Sequence, residues 1–408
     1  MPGQRVAVTG LGAISAAGCG VSAFWEAMRE GRPAIAQLSG IDPRQFRFQN
    51  GAQVRGFDPS VHFEPKIADL LDPFAQFAVV AAREALRDAG IGWQCFEPGR
   101  CAVVTGCCAG GQASEDAGFA DLYLEKRGRV HPLTVPRIMA NAGASYIAME
   151  HGVTGPVYTV STACSSANHA IGQAFWMVRQ GAAEMAITGG SEAIFSLGFL
   201  KAWEAMRVVA PDTCRPFSRD RKGLILGEGA GIIILEPLER ARARGARIYG
   251  EVAGFGMSSD AFHLTQPSPA GAALAMRRAL EDAAIPPEMV GYVNAHGTGT
   301  ISNDPAEVQA IRAAFGAHAE RLMVSSTKSM HGHALGAAGA LEAIASLLAL
   351  YHGIIPPTAN FTEADPACDL DVVPNNPRRA RVGCALSNSF AFGGLNAVLV
   401  FRSADSTG

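Results

Sequence analysis

A chain of 408 residues with 48% hydrophobic and 17% charged side chains has enough apolar surface for a large core and is not a disordered polypeptide. Its formal net charge of -3 excludes a chain-wide attraction for nucleic acid or for an anionic membrane, so any charged partner must be met locally. Nine cysteines in an irregular, odd set exclude the even framework of a secreted disulfide protein, and the adjacent Cys107 and Cys108, with no Cys-x-x-Cys pair nearby, do not point to zinc.

The opening residues pass from Arg5 directly into a strand-like run without the apolar core of a secretory signal, which predicts a cytoplasmic protein. Strand-length apolar runs then alternate with helical ones: a strand over Arg5 to Thr9, a helix near Phe74 to Ala89, strands over Cys101 to Thr105 and Val157 to Ser161, a helix from Cys164 to Gln180, and a strand over Met185 to Thr188. The second half repeats the rhythm. Strands are expected at Gly250 to Gly254, Val290 to Ala295, Leu322 to Ser325, Cys384 to Asn388 and Ala397 to Phe401, with helices near Gly271 to Ala284 and after His333. The weakly polar stretch Ala334 to Leu350 carries Glu342 near its middle and reads as a buried helix, not a membrane span. The alternation predicts a layered α/β fold of two similar halves, 1–245 and 246–408, with the basic run Arg240 to Arg247 as a solvated helix end near the break.

Chemistry concentrates at three places. In Val160-Ser-Thr-Ala-Cys164-Ser-Ser, a strand runs through small residues into a helix, which places Cys164 at a helix N-terminus, where the macrodipole and unpaired amides favour thiolate. An ordinary buried cysteine fits that segment equally well. Asn294-Ala-His296-Gly-Thr298-Gly-Thr300 follows one strand and Lys328-Ser-Met-His331-Gly-His333 another, so each histidine stands in a Gly-rich turn at a strand's end, where active sites of α/β proteins collect. His296, His331 and His333 offer three imidazoles to a metal, but no carboxylate pattern accompanies them. Gly10-Leu-Gly12 lacks the third glycine of a dinucleotide loop.

These segments, together with Gly189-Gly-Ser-Glu192, Arg215-Pro-Phe-Ser-Arg-Asp220, Gly227-Glu-Gly-Ala-Gly231 and Asn388-Ser-Phe390-Ala-Phe392-Gly-Gly-Leu-Asn396, resemble the elongating β-ketoacyl-acyl-carrier-protein synthases over nearly the whole chain. The resemblance implies a thiolase fold with two α/β halves packed as an αβαβα unit, and decarboxylative condensation of an acyl group on Cys164 with malonyl-acyl-carrier protein. It implies that His296 and His333 promote loss of carbon dioxide, that Lys328 pairs with Glu307, and that backbone amides of Cys164 and Phe392 form the oxyanion hole beside Phe390 in the gate. By the same resemblance Thr298 and Thr300 hold the phosphopantetheine arm, and Ala109 lines the acyl pocket. No cofactor is required beyond that carrier-borne arm, although Asn294, Glu342, Ser387 and Asn388 match a monovalent-cation site. The implied partners are acyl-carrier protein and a second copy of the chain or a related subunit, with no nucleic acid and no membrane.

Three positions depart from the family pattern. Ala391 stands where the gate has glycine, Leu395 where it has threonine, and His331 replaces a threonine, which points to a specialised synthase. A methyl at 391 is expected to restrict a backbone that glycine would leave free. Two rival readings are a biosynthetic thiolase and a non-catalytic chain-length-factor-like subunit. The first needs a C-terminal Cys-x-Gly turn that Cys384-Ala-Leu does not supply, and the second lacks the cysteine that this chain has.

Overall fold

The computed structural model describes residues 3–92 and 96–404, so Cys95 lies outside the described residues. Its first half contributes strands β1 (Val6–Ser15), β2 (Cys101–Gly106), β3 (Val157–Val160), β4 (Met185–Glu192) and β5 (Gly229–Pro237). The second half contributes β6 (Gly250–Ser259), β7 (Val290–Asn294), β8 (Met323–Ser325), β9 (Cys384–Ala391) and β10 (Leu395–Arg402). Among the described residues these form one path in the order β8-β7-β9-β10-β6-β1-β5-β4-β2-β3, with the short strand Gly18–Cys19 paired to β1.

The path is the same five-strand arrangement used twice. In each half the first, fifth and fourth strands pair antiparallel, and the fourth, second and third pair parallel. The halves meet where β1 and β6 pair antiparallel at Val6–Val252, Ala7–Glu251 and Val8–Gly250. Strand β5 had no counterpart among the expected elements; its run Gly229-Ala-Gly-Ile-Ile-Ile reads as a motif more readily than as a strand.

Helices complete the layers: α1 (Pro73–Asp88), α2 (Ser166–Arg179), α3 (Pro269–Ala283), α4 (Asn303–Phe315) and α5 (Ala338–His352). α1 starts on Asp72, whose carboxylate accepts from the Phe74 N–H at 3.2 Å, with Pro73 at the first helical position. It packs on the outer side of β1, β5 and β4, while α3 covers β6 and β10. α2 and α5 each touch strands of both halves and so form the middle layer, which gives the αβαβα thiolase arrangement. α5 is buried from Ala338 to Leu350 and is apolar over that length except for Glu342 and Ser346. The run Leu335–His352 is long and apolar enough by composition to cross a membrane, but 89% of it is buried in the fold.

Gly10 and Gly12 serve packing. A Cβ on Gly12 would fall on the Ala81 carbonyl oxygen and one on Gly10 on that of Ala85, so α1 lies directly against bare backbone. Gly12→Val should therefore separate α1 from β1 and lower stability by about 3 kcal/mol, read as a shift in the denaturant midpoint; an unchanged midpoint would contradict this packing.

Candidate active site

Cys164 stands after Ala163, whose φ of 50° turns the chain sharply at the end of β3. The turn is tied by the Ser165 N–H to the Thr162 carbonyl at 3.2 Å and by the Thr162 N–H to Ser166 Oγ at 2.9 Å. α2 begins at Ser166 with Ser165 as its cap, two residues later than the cysteine start expected from sequence. Cys164 is buried, at 6% exposure.

His333 comes from the turn before α5, and its Nε2 lies 3.1 Å from Cys164 Sγ, a contact between residues 169 apart in the chain. His296 follows β7, with its ring 5.5 Å from that of His333 and 6.1 Å from Phe390, both edge-on. Lys328 Nζ is 3.4 Å from His296 Nδ1. A lysine ammonium only donates, so Nδ1 accepts and the ring proton sits on Nε2. Burial, then Lys328 and the neighbouring histidine, hold the pKa of His296 well below the ordinary value; for His333 the causes are burial, Lys328 and His331.

The partner of Lys328 is Glu342 on α5, not Glu307. Glu307 is occupied elsewhere: its Oε1 accepts from the His296 N–H at 2.8 Å and from Asn388 Nδ2 at 3.1 Å, and its Oε2 from the Gly297 N–H at 2.7 Å. Three residues earlier on the same face of α4, Asp304 accepts from the Gly299 N–H at 3.1 Å and from the Phe217 N–H at 2.8 Å. Two carboxylates on one helix thus clamp the whole His296–Thr300 turn. The sequence reading missed Asp304; its signal was the three-residue spacing from Glu307 behind a Gly-rich turn.

Burial pushes the Cys164 pKa up to about 11, against the pull of Lys328 and of the backbone N–H groups of Phe392 and Cys164. The helix N-terminus therefore does not make a preformed thiolate, because desolvation outweighs it. Those two N–H groups nevertheless face the sulfur, where an oxyanion would form. Phe392 stacks on Trp203 at 6.3 Å, and the left-handed residues of the gate are Gly393 and Gly394, with φ of 83° and 70°. Ala391 instead belongs to extended β9, paired with Leu395, so its methyl is accommodated without strain.

A cavity of about 390 Å³ is lined by Cys164, His296, His333, Phe390 and Phe392, and also by Thr298 and Thr300, whose hydroxyl oxygens lie 3.0 Å apart. Ala109 does not line this cavity; it packs with Phe199 against the apolar cluster that contains Cys164. His331 stays out of the site, with its Nε2 3.1 Å from Thr327 Oγ1. Around the expected cation position, Glu342 Oε2, Ser387 Oγ and Asn388 Oδ1 are buried without hydrogen-bond partners, an acceptor set that fits a monovalent cation, while Asn294 Nδ2 reaches Thr327 and the Glu342 carbonyl. Because the thiol is held protonated, alkylation of Cys164 by iodoacetamide, followed by mass spectrometry, should keep rising from neutral into alkaline pH. A plateau near neutrality would show a thiolate already formed.

Residues 3–241 match the family described as "Beta-ketoacyl synthase, N-terminal domain" and residues 249–362 the corresponding C-terminal domain. The chain is 46% identical over 399 residues to nodulation protein E of Rhizobium meliloti, covering 98% of this chain and 99% of that protein. It is 42% identical over 408 residues to 3-oxoacyl-[acyl-carrier-protein] synthase 2 of Synechocystis, with 98% of each covered. The solved ishigamide ketosynthase/chain length factor superposes with a TM-score of 0.94 at 37% identity, over 98% of this chain and 99% of that one. With a cysteine and two histidines gathered on one cavity in a fold that these relatives share from end to end, the chain belongs to the β-ketoacyl synthase family and is a condensing acyltransferase.

Proposed function

We propose that Cys164 carries the growing acyl chain and that His296 and His333 direct its condensation with a malonyl group borne on acyl-carrier protein. The observation that carries this reading is the 3.1 Å approach of His333 Nε2 to Cys164 Sγ with His296 facing the same cavity. In acyl transfer, His333 takes the thiol proton on Nε2 as the sulfur attacks the carrier thioester, the N–H groups of Cys164 and Phe392 receive the oxyanion, and the carrier departs as a thiolate that solvent protonates, so His333 keeps its proton until the Cys164 sulfur is released and takes it back. Malonyl-carrier protein then binds, its arm held at Thr298 and Thr300.

His296 offers its Nε2–H to the malonyl thioester oxygen, and His333, now with its proton on Nε2, offers a second. Loss of carbon dioxide leaves an enolate between these donors, and its carbon attacks the acyl-Cys164 carbonyl, releasing the cysteine sulfur and the β-ketoacyl product. Lys328 positions His296 from its Nδ1 side without touching substrate. A monovalent cation at Glu342, Ser387 and Asn388, with Asn294 beside them, would supply further fixed positive charge. The rival thiolase reading has no support from Cys384, which is buried at the start of β9 and does not line the cavity.

Three further points belong to the same reading. The repeated strand order supports a division into halves at 1–245 and 246–408. Among the described residues, strand β3 ends the sheet with one edge unpaired, and the helix Ala142–His151 packed on it exposes Met149; this supports dimerisation along that edge with a second copy or a related subunit. The eight described cysteines are all free, which supports a reducing, cytoplasmic setting.

Cys164→Ser should abolish condensation, since a serine hydroxyl stays protonated and accepts a thioester acyl group poorly. His296→Ala should still allow acylation of Cys164 while slowing release of carbon dioxide from malonyl-carrier protein by about 2.7–4 kcal/mol in barrier, whereas His333→Ala, which removes the base beside the thiol, should slow both acylation and that release. Normal release by both would overturn the assignment. Ala109 is small and packs against the apolar cluster that contains Cys164, which supports room behind the cavity for long or rigid unsaturated chains, so Ala109→Phe should shorten the products and spare acylation by short chains; identical product distributions would leave Ala109 as a packing residue.

A further inference from the structure

Glu192 ends β4 fully buried and outside the cavity, and no step of the condensation uses it. Its carboxylate nevertheless holds two separate segments. Oε1 accepts from the Ala109 N–H at 3.0 Å and from the Cys107 thiol at 3.4 Å. Oε2 accepts from the Cys108 N–H at 2.8 Å and from the Gly336 N–H at 3.0 Å. The two segments touch closely: a Cβ on Gly336 would stand 2.5 Å from the Cys108 nitrogen and 2.6 Å from Glu192 Oε2.

These segments lie behind the cavity, against the apolar side chains that surround Cys164. Cys108, Ala109 and Leu335 all pack in the apolar cluster that contains Cys164. Leu335 sits there with a φ of 44°, a left-handed conformation that a branched side chain keeps only when its surroundings over-determine it. The neighbouring Gly336 N–H bond to Glu192 is such a restraint. A carboxylate accepting from three backbone N–H groups cannot be replaced by a neutral group without leaving donors unpaired.

We propose that Glu192 is a positioning residue for acyl-chain selection: by locking the 107–109 and 335–336 segments together it sets the distal shape of the acyl pocket, and hence how long a chain Cys164 accepts. This rests on the ketosynthase reading above and adds the element that governs its substrate class. The Cys164 sulfur is held by its own turn and by the Phe392 N–H, so a short acyl group does not depend on the lock, whereas a long one must pass along these segments.

The test measures Cys164 acylation by a short-chain and by a long-chain acyl-carrier protein, alongside carbon dioxide release from malonyl-carrier protein. Glu192→Gln turns one acceptor oxygen into a donor that faces N–H groups. It should lower kcat/KM for the long chain about tenfold relative to the short one, with carbon dioxide release kept within about twofold. Gly336→Ala wedges the same two segments apart with the carboxylate intact and should reproduce that selective loss, so the test stands even if the glutamine variant fails to fold. An equal loss for both chain lengths, or an unchanged ratio in both variants, would overturn the proposal. Absence of acylation and of carbon dioxide release in the unaltered protein would instead overturn the ketosynthase reading itself.

Discussion

Val6, Ala7 and Val8 on β1 face Val252, Glu251 and Gly250 on β6, and beside them the Arg5 guanidinium donates to Glu251. This short antiparallel seam joins two otherwise complete half-sheets, and the reactive groups are divided across it: the nucleophile belongs to the first half and both histidines to the second. With α2 and α5 packed between the halves, the helix that follows Cys164 and the helix that follows His333 become neighbours. The 3.1 Å thiol–imidazole contact is thus a consequence of layer packing, since residues 169 apart have no local reason to meet.

The second constraint is desolvation. Cys164, His296, His333, Lys328, Glu307 and Glu342 are all nearly or wholly buried, and in such surroundings each charge must be compensated. Burial drives the carboxyl of Glu342 up to about 7 against the pull of Lys328, pushes the Cys164 thiol up, and keeps both imidazoles neutral. A neutral imidazole beside a protonated thiol can accept the thiol proton.

Backbone amides held by buried carboxylates recur around this centre. Asp304 and Glu307 clamp the turn that carries His296, and Glu192 clamps the 107–109 loop. Each carboxylate is used to place main chain and not to meet substrate, so the flexible glycines of these turns are fixed from behind while their front faces stay free.

Much of the fold was legible in the linear chain because period and punctuation are local properties. The strands at Cys101 and Val290 and the helices at Phe74 and Gly271 follow directly from runs of apolar residues and their bounds, and Cys164, His296 and His333 stand out by residue type in small-residue turns. Strand β5 was hidden by its glycines, of which Gly229 lies against β1 at Ile14 and Gly231 against α5 at Ala340. The choice of Glu342 over Glu307 as the partner of Lys328 was not legible either, since it depends on which carboxylate has its oxygens already taken by backbone N–H groups. The sequence by itself determined which groups are present and on which turns they sit. Only the tertiary structure decided their partners, their burial and therefore their protonation, because desolvation and long-range approach are properties of the packed layers and not of any segment.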